Sequence, residues 1–219
     1  MKICCENLSK TYISGDGQTV HAVKNCSLTW ECGRIACILG VSGSGKSTLL
    51  EMLSLNLAPD SGRILFDGRD VTALGEKEQS RLRREEIGYL PQSLGLIPLL
   101  TVRENIRLPH MISGSKAAEQ KDLCNRLGIT DFLDRLPGEL SGGQKQKAAA
   151  ARELSRDIRI FLADEPTSAL DRDSWTALIG EIKSLCERGC TVIFTTHDEN
   201  LCVLADDVCR MEDGILRRV

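Results

Sequence analysis

One stretch limits what this chain can fold into more than any other: Gly40-Val41-Ser42-Gly43-Ser44-Gly45-Lys46-Ser47-Thr48. It fits the spacing G-x-x-x-x-G-K-[S/T]. The apolar run Arg34-Ile35-Ala36-Cys37-Ile38-Leu39 precedes it and reads as a buried strand; Ser47-Thr48-Leu49-Leu50-Glu51-Met52-Leu53 follows and reads as a helix. A glycine loop between a strand and a helix suits a polyphosphate. Backbone N–H groups in a concave loop converge on the anion, and the helix N-terminus adds its partial positive charge. A side chain at Gly43 or Gly45 is expected to hold the backbone away from the phosphates. Lys46 is placed to reach the β- and γ-phosphates, and the Ser47 hydroxyl to ligate Mg²⁺. The loop therefore predicts a nucleoside triphosphate site with Gly40, Ser42, Gly43, Ser44, Gly45, Lys46, Ser47 and Thr48 around the phosphates.

A length of 219 residues fits one α/β domain with a sizeable core, or one domain with a smaller insert. The formal net charge of -3 leaves no electrostatic footprint for nucleic acid. Arg81, Arg83 and Arg84 cluster, but Glu85 and Glu86 follow at once, which describes a solvated helix face. Apolar runs such as 35–41 are too short to cross a bilayer. The first residues, Met1-Lys2-Ile3-Cys4-Cys5-Glu6-Asn7, lack the apolar centre of a signal peptide, so the expectation is a cytoplasmic chain. Ten cysteines, at 4, 5, 26, 32, 37, 124, 186, 190, 202 and 209, include no C-x-x-C pair and read as reduced thiols.

Along the chain, residues 2–8 and 20–30 read as strands of an antiparallel flank joined by Ser14-Gly15-Asp16-Gly17. Pro59-Asp60-Ser61-Gly62 turns into a strand at Arg63–Phe66; a helix is expected at 76–86 and a short strand at Ile87–Leu90. From Gln92 to Gln144 no strand signal remains. Thr101 with Glu104 predicts a capped helix from Val102, and Ser115 predicts another over Lys116–Leu127. Strand Arg159–Ala163, a helix over 172–187 with Trp175, Leu178, Ile179, Ile182, Leu185 and Cys186 on one face, and strand Thr191–Thr195 follow. Val208–Met211 and Ile215–Arg218 across Asp213-Gly214 predict a terminal hairpin. The organisation expected is a single domain over 1–219: a mostly parallel core with its antiparallel flank at 1–91 and 145–219, and a helical insert at 92–144.

Two further elements carry chemistry. Ile160-Phe161-Leu162-Ala163-Asp164-Glu165 ends an apolar strand in two carboxylates, at the sheet edge where open α/β folds bind ligands. Asp164 suits Mg²⁺, directly or through water. Glu165 suits a general base that orients or deprotonates an attacking water. Leu140-Ser141-Gly142-Gly143-Gln144 opens a helix and reads as a second anion-binding nest. One phosphate loop against two anion nests predicts that the second serves a nucleotide held by another copy of the chain.

The set Gly40–Thr48, Gln92, Leu140–Gln144, Asp164-Glu165, Ser168-Ala169-Leu170-Asp171 and His197 resembles the ATPase subunits of ABC transporters, in order and over residues 8–214. The resemblance implies a P-loop NTPase of α/β class, ATP and Mg²⁺ as ligands, and ATP hydrolysis by a dimer. It also implies roles: Tyr12 stacking on adenine, Gln92 contacting Mg²⁺ or water and linking the site to a membrane subunit, and Asp171 ending a segment at the dimer interface. His197 is implied to contact the γ-phosphate. His21 and His110 match nothing and read as structural. Within the superfamily, the stretches 40–50, 87–92 and 99–106 and the short tail after Gly214 resemble the lipoprotein-releasing and macrolide-exporter branch. That branch implies an integral membrane permease as partner and a peripheral place at the inner face of the cell membrane.

Two departures stand out. Lys147 occupies a place where the family usually has arginine, and Lys lacks the planar fork. Pro91 stiffens the junction before Gln92. Alternatives to a transporter motor are a soluble ATPase acting on DNA or the ribosome, against which stand the lack of a long coiled-coil insert and a single phosphate-loop lysine, and a cell-division scaffold switched by ATP.

Overall fold

The computed structural model describes residues 1–13, 15, 17–114 and 120–219. Ten strands are present among them: β1 (Ile3–Ile13), β2 (Thr19–Trp30), β3 (Ile35–Leu39), β4 (Ser61–Phe66), β5 (Arg69–Asp70), β6 (Ile87–Leu90), β7 (Ile160–Asp164), β8 (Thr191–Thr196), β9 (Asp207–Glu212) and β10 (Ile215–Arg218). The helices are α1 (Lys46–Leu53), α2 (Glu76–Glu85), α3 (Val102–Ser113), α4 (Lys121–Arg126), α5 (Gly142–Leu154) and α6 (Arg172–Glu187). The strands form an antiparallel sheet in the order β2-β1-β4-β5 and a six-stranded sheet in the order β10-β9-β3-β8-β7-β6.

Composition explains why the second sheet is central. Strands β3, β7 and β8 are buried at every position, the pattern of parallel strands covered on both faces. Their two-residue period sorts side chains into two cores. Cys37, Phe161, Ala163, Val192 and Phe194 enter one core with Val102, Ile106, Leu127 and Phe132 of the helical stretch. Ala36, Ile38, Ile160, Leu162 and Ile193 enter the other, with Leu49, Leu50 and Leu53 of α1 and Ile3, Leu8, Trp30 and Ile64 of the antiparallel sheet. The helical stretch thus shares its core with the sheet.

The phosphate-loop strand β3 lies between β9 and β8, parallel to both. The expected tail hairpin is present, but β9 also pairs with β3, so it is part of the core sheet. Alternation in the sequence reveals the hairpin and carries no sign of that second neighbour. The flank strands are longer than expected, paired out to Ile13 opposite Thr19. Thr101 and Glu104 form a reciprocal capping box on α3, and α6 spans the residues its apolar stripe predicts. Residues 115–119, the start of the helix expected from Ser115, lie outside the described residues, as do Ser14 and Asp16 of the expected turn. Helix α5 begins at Gly142, so the boundary expected at 144 falls inside its first turn.

Candidate functional site

The loop 40–45 closes over the N-terminus of α1 and is pinned from three sides. Gly40 N–H donates to the Thr196 carbonyl at 3.1 Å, and Gly214 N–H donates to the Ser44 carbonyl at 3.1 Å. Gly45 sits at φ 104 as the helix N-cap, with no side-chain cap. A Cβ there would lie 2.0 Å from the Ala22 carbonyl oxygen, so glycine is required by β2 packing over the loop. At Gly43 the requirement is the backbone conformation, φ 79, with open space around it. At Gly45, clearance for the chain's own backbone thus requires glycine independently of the expected clearance for phosphates. Lys46 is a buried residue whose ammonium donates to the carbonyls of Gly40 at 2.8 Å and Val41 at 2.9 Å. Burial pushes its pKa down, against the charges of Glu165 and Asp164, which hold it up. The Ser44 hydroxyl is buried without a hydrogen-bond partner.

Ser42, Gly43, Gly45 and Lys46 border a cavity of about 590 Å³ whose walls also include Tyr12, Ser47, Thr48, Gln92 and Glu165, while Gly40 and Ser44 lie outside its lining. A helix N-terminus without a cap leaves N–H donors for a ligand. His21, read as structural, also lines this cavity, with its Nδ1 3.1 Å from the Thr11 hydroxyl. Its place two residues after the β2 start is set by pairing with β1, which no local pattern reveals.

At the end of β7, Asp164 is buried and accepts from the Thr195 hydroxyl at 2.5 Å. That same hydroxyl accepts from the Glu165 N–H at 3.1 Å. Glu165 itself sits at φ 48, a left-handed conformation unusual for a side chain of this kind. Its carboxylate Oε1 lies 3.2 Å from His197 Nδ1, with the imidazole mostly exposed and the carboxylate mostly buried. The structure therefore brings Lys46, Ser47, Gln92 and Glu165 to one cavity and joins His197 to it through Glu165. Among the described residues no group of three or more His, Cys, Asp or Glu could hold a metal by itself. Ser47 and Gln92 offer hard oxygens on the cavity wall and Asp164, buried at the end of β7 and outside that lining, offers a third, a donor type that fits Mg²⁺ when phosphate oxygens and waters complete the shell.

Ser141–Gln144 lies outside that cavity. Ser141 is the N-cap of α5: its hydroxyl accepts from Gln144 N–H at 3.3 Å, and Gln144 Oε1 accepts from Ser141 N–H at 3.0 Å. The expected nest is instead a capped helix start, with Gly142 and Gly143 inside the helix. Gly143 is there for close approach, since a Cβ would lie 2.7 Å from the Ala169 carbonyl oxygen. Asp171 caps α6 by accepting from Ser174 N–H at 2.8 Å, which holds its carboxyl below the usual range. Lys147 turns inward, donating to the Gly128 carbonyl at 3.3 Å and standing 5.9 Å over the Phe132 ring. The sequence reading missed Thr195 and Gln146, whose partners are remote in the chain.

A family model described as ABC transporter matches residues 23–168. The chain is 40% identical over 208 residues to the ABC transporter ATP-binding protein YtrE of Bacillus subtilis strain 168, covering 93% of this chain and 90% of that one. It is 40% identical over 213 residues to the macrolide export ATP-binding/permease protein MacB of Brucella melitensis, covering 95% of this chain and 33% of that protein, so it spans about a third of MacB's length. Among solved structures, the dimeric structure of MJ0796, a bacterial ABC transporter cassette, matches with a TM-score of 0.88 at 34% identity, covering 99% of this chain and 98% of that one. A post-hydrolysis dimer of the same cassette bound to ADP and Pi matches with a TM-score of 0.88 at 33% identity, with the same coverage. The chain belongs to the ABC transporter family of ATP-binding domains, whose general activity is ATP hydrolysis. Its relatives agree with the macrolide-exporter-like branch.

Proposed function

We propose that the protein is the ATP-hydrolysing subunit of an ABC transporter, working as a head-to-tail dimer that closes on two ATP molecules and drives an integral membrane permease. One observation carries the reading: the loop at 40–48 borders the cavity, whereas the start of α5, an exposed and self-capped helix N-terminus, lies outside it and is left free to face a second chain. A second chain would bring its Ser141–Gln144 over the nucleotide held by the first. Tyr12 would stack on adenine, and the loop N–H groups and Lys46 would hold the phosphates. Ser47, Gln92 and Asp164 would hold Mg²⁺, which neutralises phosphate charge when bound. Glu165 would take the proton of the attacking water, with His197 orienting its carboxylate and Thr195 fixing its backbone.

A membrane partner is supported by an exposed apolar surface beyond Gln92. Leu99 is 87% exposed, Met111 77% and Ile112 61%. Ile112 also lines a groove of about 420 Å³ whose walls include Ile97, Pro109, Arg84 and Arg152. Asn105, fully buried, holds the approach: it accepts from Ile97 N–H and donates to the carbonyls of Ile97, Leu100 and Thr101. Among the described residues no helix is long and apolar enough to cross a membrane, so a membrane place at the inner face would come through the permease. Steady-state ATPase assay of Glu165→Gln tests the catalytic assignment, with turnover expected to fall by about 10²-fold or more. Near wild-type turnover would remove Glu165 as the base. Purification from membranes with the bound integral protein identified tests the partner; leaving Leu99→Asp and Met111→Asp binding unchanged would move the docking surface elsewhere.

A further inference from the structure

Gln146 stands two residues beyond the capping Gln144, on α5, and is only 2% exposed. Both ends of its amide are used. Nε2 donates to the Glu165 carbonyl at 3.0 Å, and Oε1 accepts from Ala169 N–H at 3.0 Å. The amide orientation follows from these partners, a carbonyl at one end and an N–H at the other. The turn from Glu165 to Ala169 is thereby clamped at its first and last residues. Within it, Ser168 N–H donates to the same Glu165 carbonyl at 3.3 Å. From the sheet side, Thr195 holds the Glu165 N–H at 3.1 Å. The helix reaches the turn because Gly143 lets the Ala169 carbonyl come close.

The left-handed backbone of Glu165 is thus fixed from two directions. One support comes from the sheet and the other from the helix whose first turn is Ser141–Gln144. We propose that Gln146 is a positioning residue that ties the start of α5 to Glu165 of the same chain, so that engagement of one nucleotide at Ser141 is transmitted to the carboxylate that serves the other nucleotide. The inference rests on the head-to-tail dimer proposed above. An amide is the side chain this position needs. An ionised carboxylate of the same shape would set an acceptor against the Glu165 carbonyl, and an apolar side chain would leave two backbone groups without partners.

Gln146→Glu separates positioning from mere packing, because its protonated form regains a donor. At about pH 8, kcat is expected to fall by about tenfold or more with ATP affinity within about twofold of wild type, the scale of loss that a small misplacement of a reacting group produces. The deficit relative to wild type should shrink towards about pH 6, as the carboxyl protonates and can donate to the Glu165 carbonyl. The dependence of rate on ATP should also lose sigmoidicity. Binding is read with trinitrophenyl-ATP fluorescence and folding by thermal melting. If Gln146→Glu does not fold, Gln146→Met, of similar size with neither donor nor strong acceptor, is read for the same kcat-against-KM split. A parallel loss of kcat and affinity, or failure of both variants to fold where Lys46→Ala folds, would make Gln146 a packing residue and overturn the proposal. Wild-type kcat in Gln146→Glu beside an inactive Glu165→Gln would overturn the role of Gln146 alone. An active Glu165→Gln would instead remove the reading beneath it.

Discussion

The phosphate loop and the start of α5 both present helix N-termini, and they are built in opposite ways. The loop is pinned by Ala22, Thr196 and Gly214, holds an almost wholly buried lysine, and leaves its helix without a side-chain cap. Helix α5 satisfies itself through the reciprocal Ser141–Gln144 box and stands at the surface. An uncapped, enclosed helix end gains most from a ligand, since four N–H groups otherwise lack partners. A capped, exposed one is stable alone and too open to hold a nucleotide by itself. Under the dimer proposed above, the contrast assigns binding to one half of the site and closure to the other.

Three substitutions sharpen that contrast. The largest effect is expected for Gly45→Ala. The new Cβ would meet the Ala22 carbonyl at 2.0 Å, and φ 104 is foreign to alanine. Loss of about 2–4 kcal/mol in denaturant unfolding and of detectable ATP binding should follow; unaltered nucleotide binding would show that the loop tolerates displacement. Ser141→Ala should cost only about 1 kcal/mol of stability, the usual value of an N-cap. It should leave ATP binding by the isolated chain intact and slow turnover in the dimer. Equal loss of binding in the monomer would place Ser141 in the first half-site and break the comparison.

The smallest effect concerns pH on the helical side. His110 of α3 is largely buried, with Nε2 3.0 Å from the Ser155 hydroxyl at the end of α5. Burial, with Arg156 nearby, holds its pKa below the ordinary 6.5. The neutral ring is the folded form, so the unfolded chain binds protons first as pH falls. The stability His110 contributes is therefore present above about pH 6.5 and lost as pH falls through the folded-state value. Melting temperatures of His110→Gln between about pH 7.5 and 5 should decline less steeply than those of wild type. Parallel curves would assign the acid sensitivity to other groups.

Legibility in the sequence followed distance along the chain. The strand-loop-helix at 35–53, the capping box at Thr101 and the extent of α6 rest on neighbours within a turn or a strand, and each was readable. The roles of Gly43 and Gly45 were readable only in part, because the carbonyl that excludes a side chain at Gly45 belongs to Ala22, on another strand. The clamp on Glu165 was hidden for the same reason. Gln146 meets Glu165 and Ala169 across two elements, and a glutamine two residues beyond a helix cap has no periodicity to betray it. At Ser141 the residues fitted either a nest or a cap, and the backbone of α5, not the residue types, decided for the cap.

The central claim is that a finished nucleotide site needs two chains, and light scattering of Glu165→Gln tests it most directly. With saturating ATP this variant should shift from the mass of one chain to that of two. Adding Ser141→Arg should return it to one chain while trinitrophenyl-ATP binding persists. A chain that stays monomeric at saturating ATP, or a dimer indifferent to Ser141→Arg, would contradict the account.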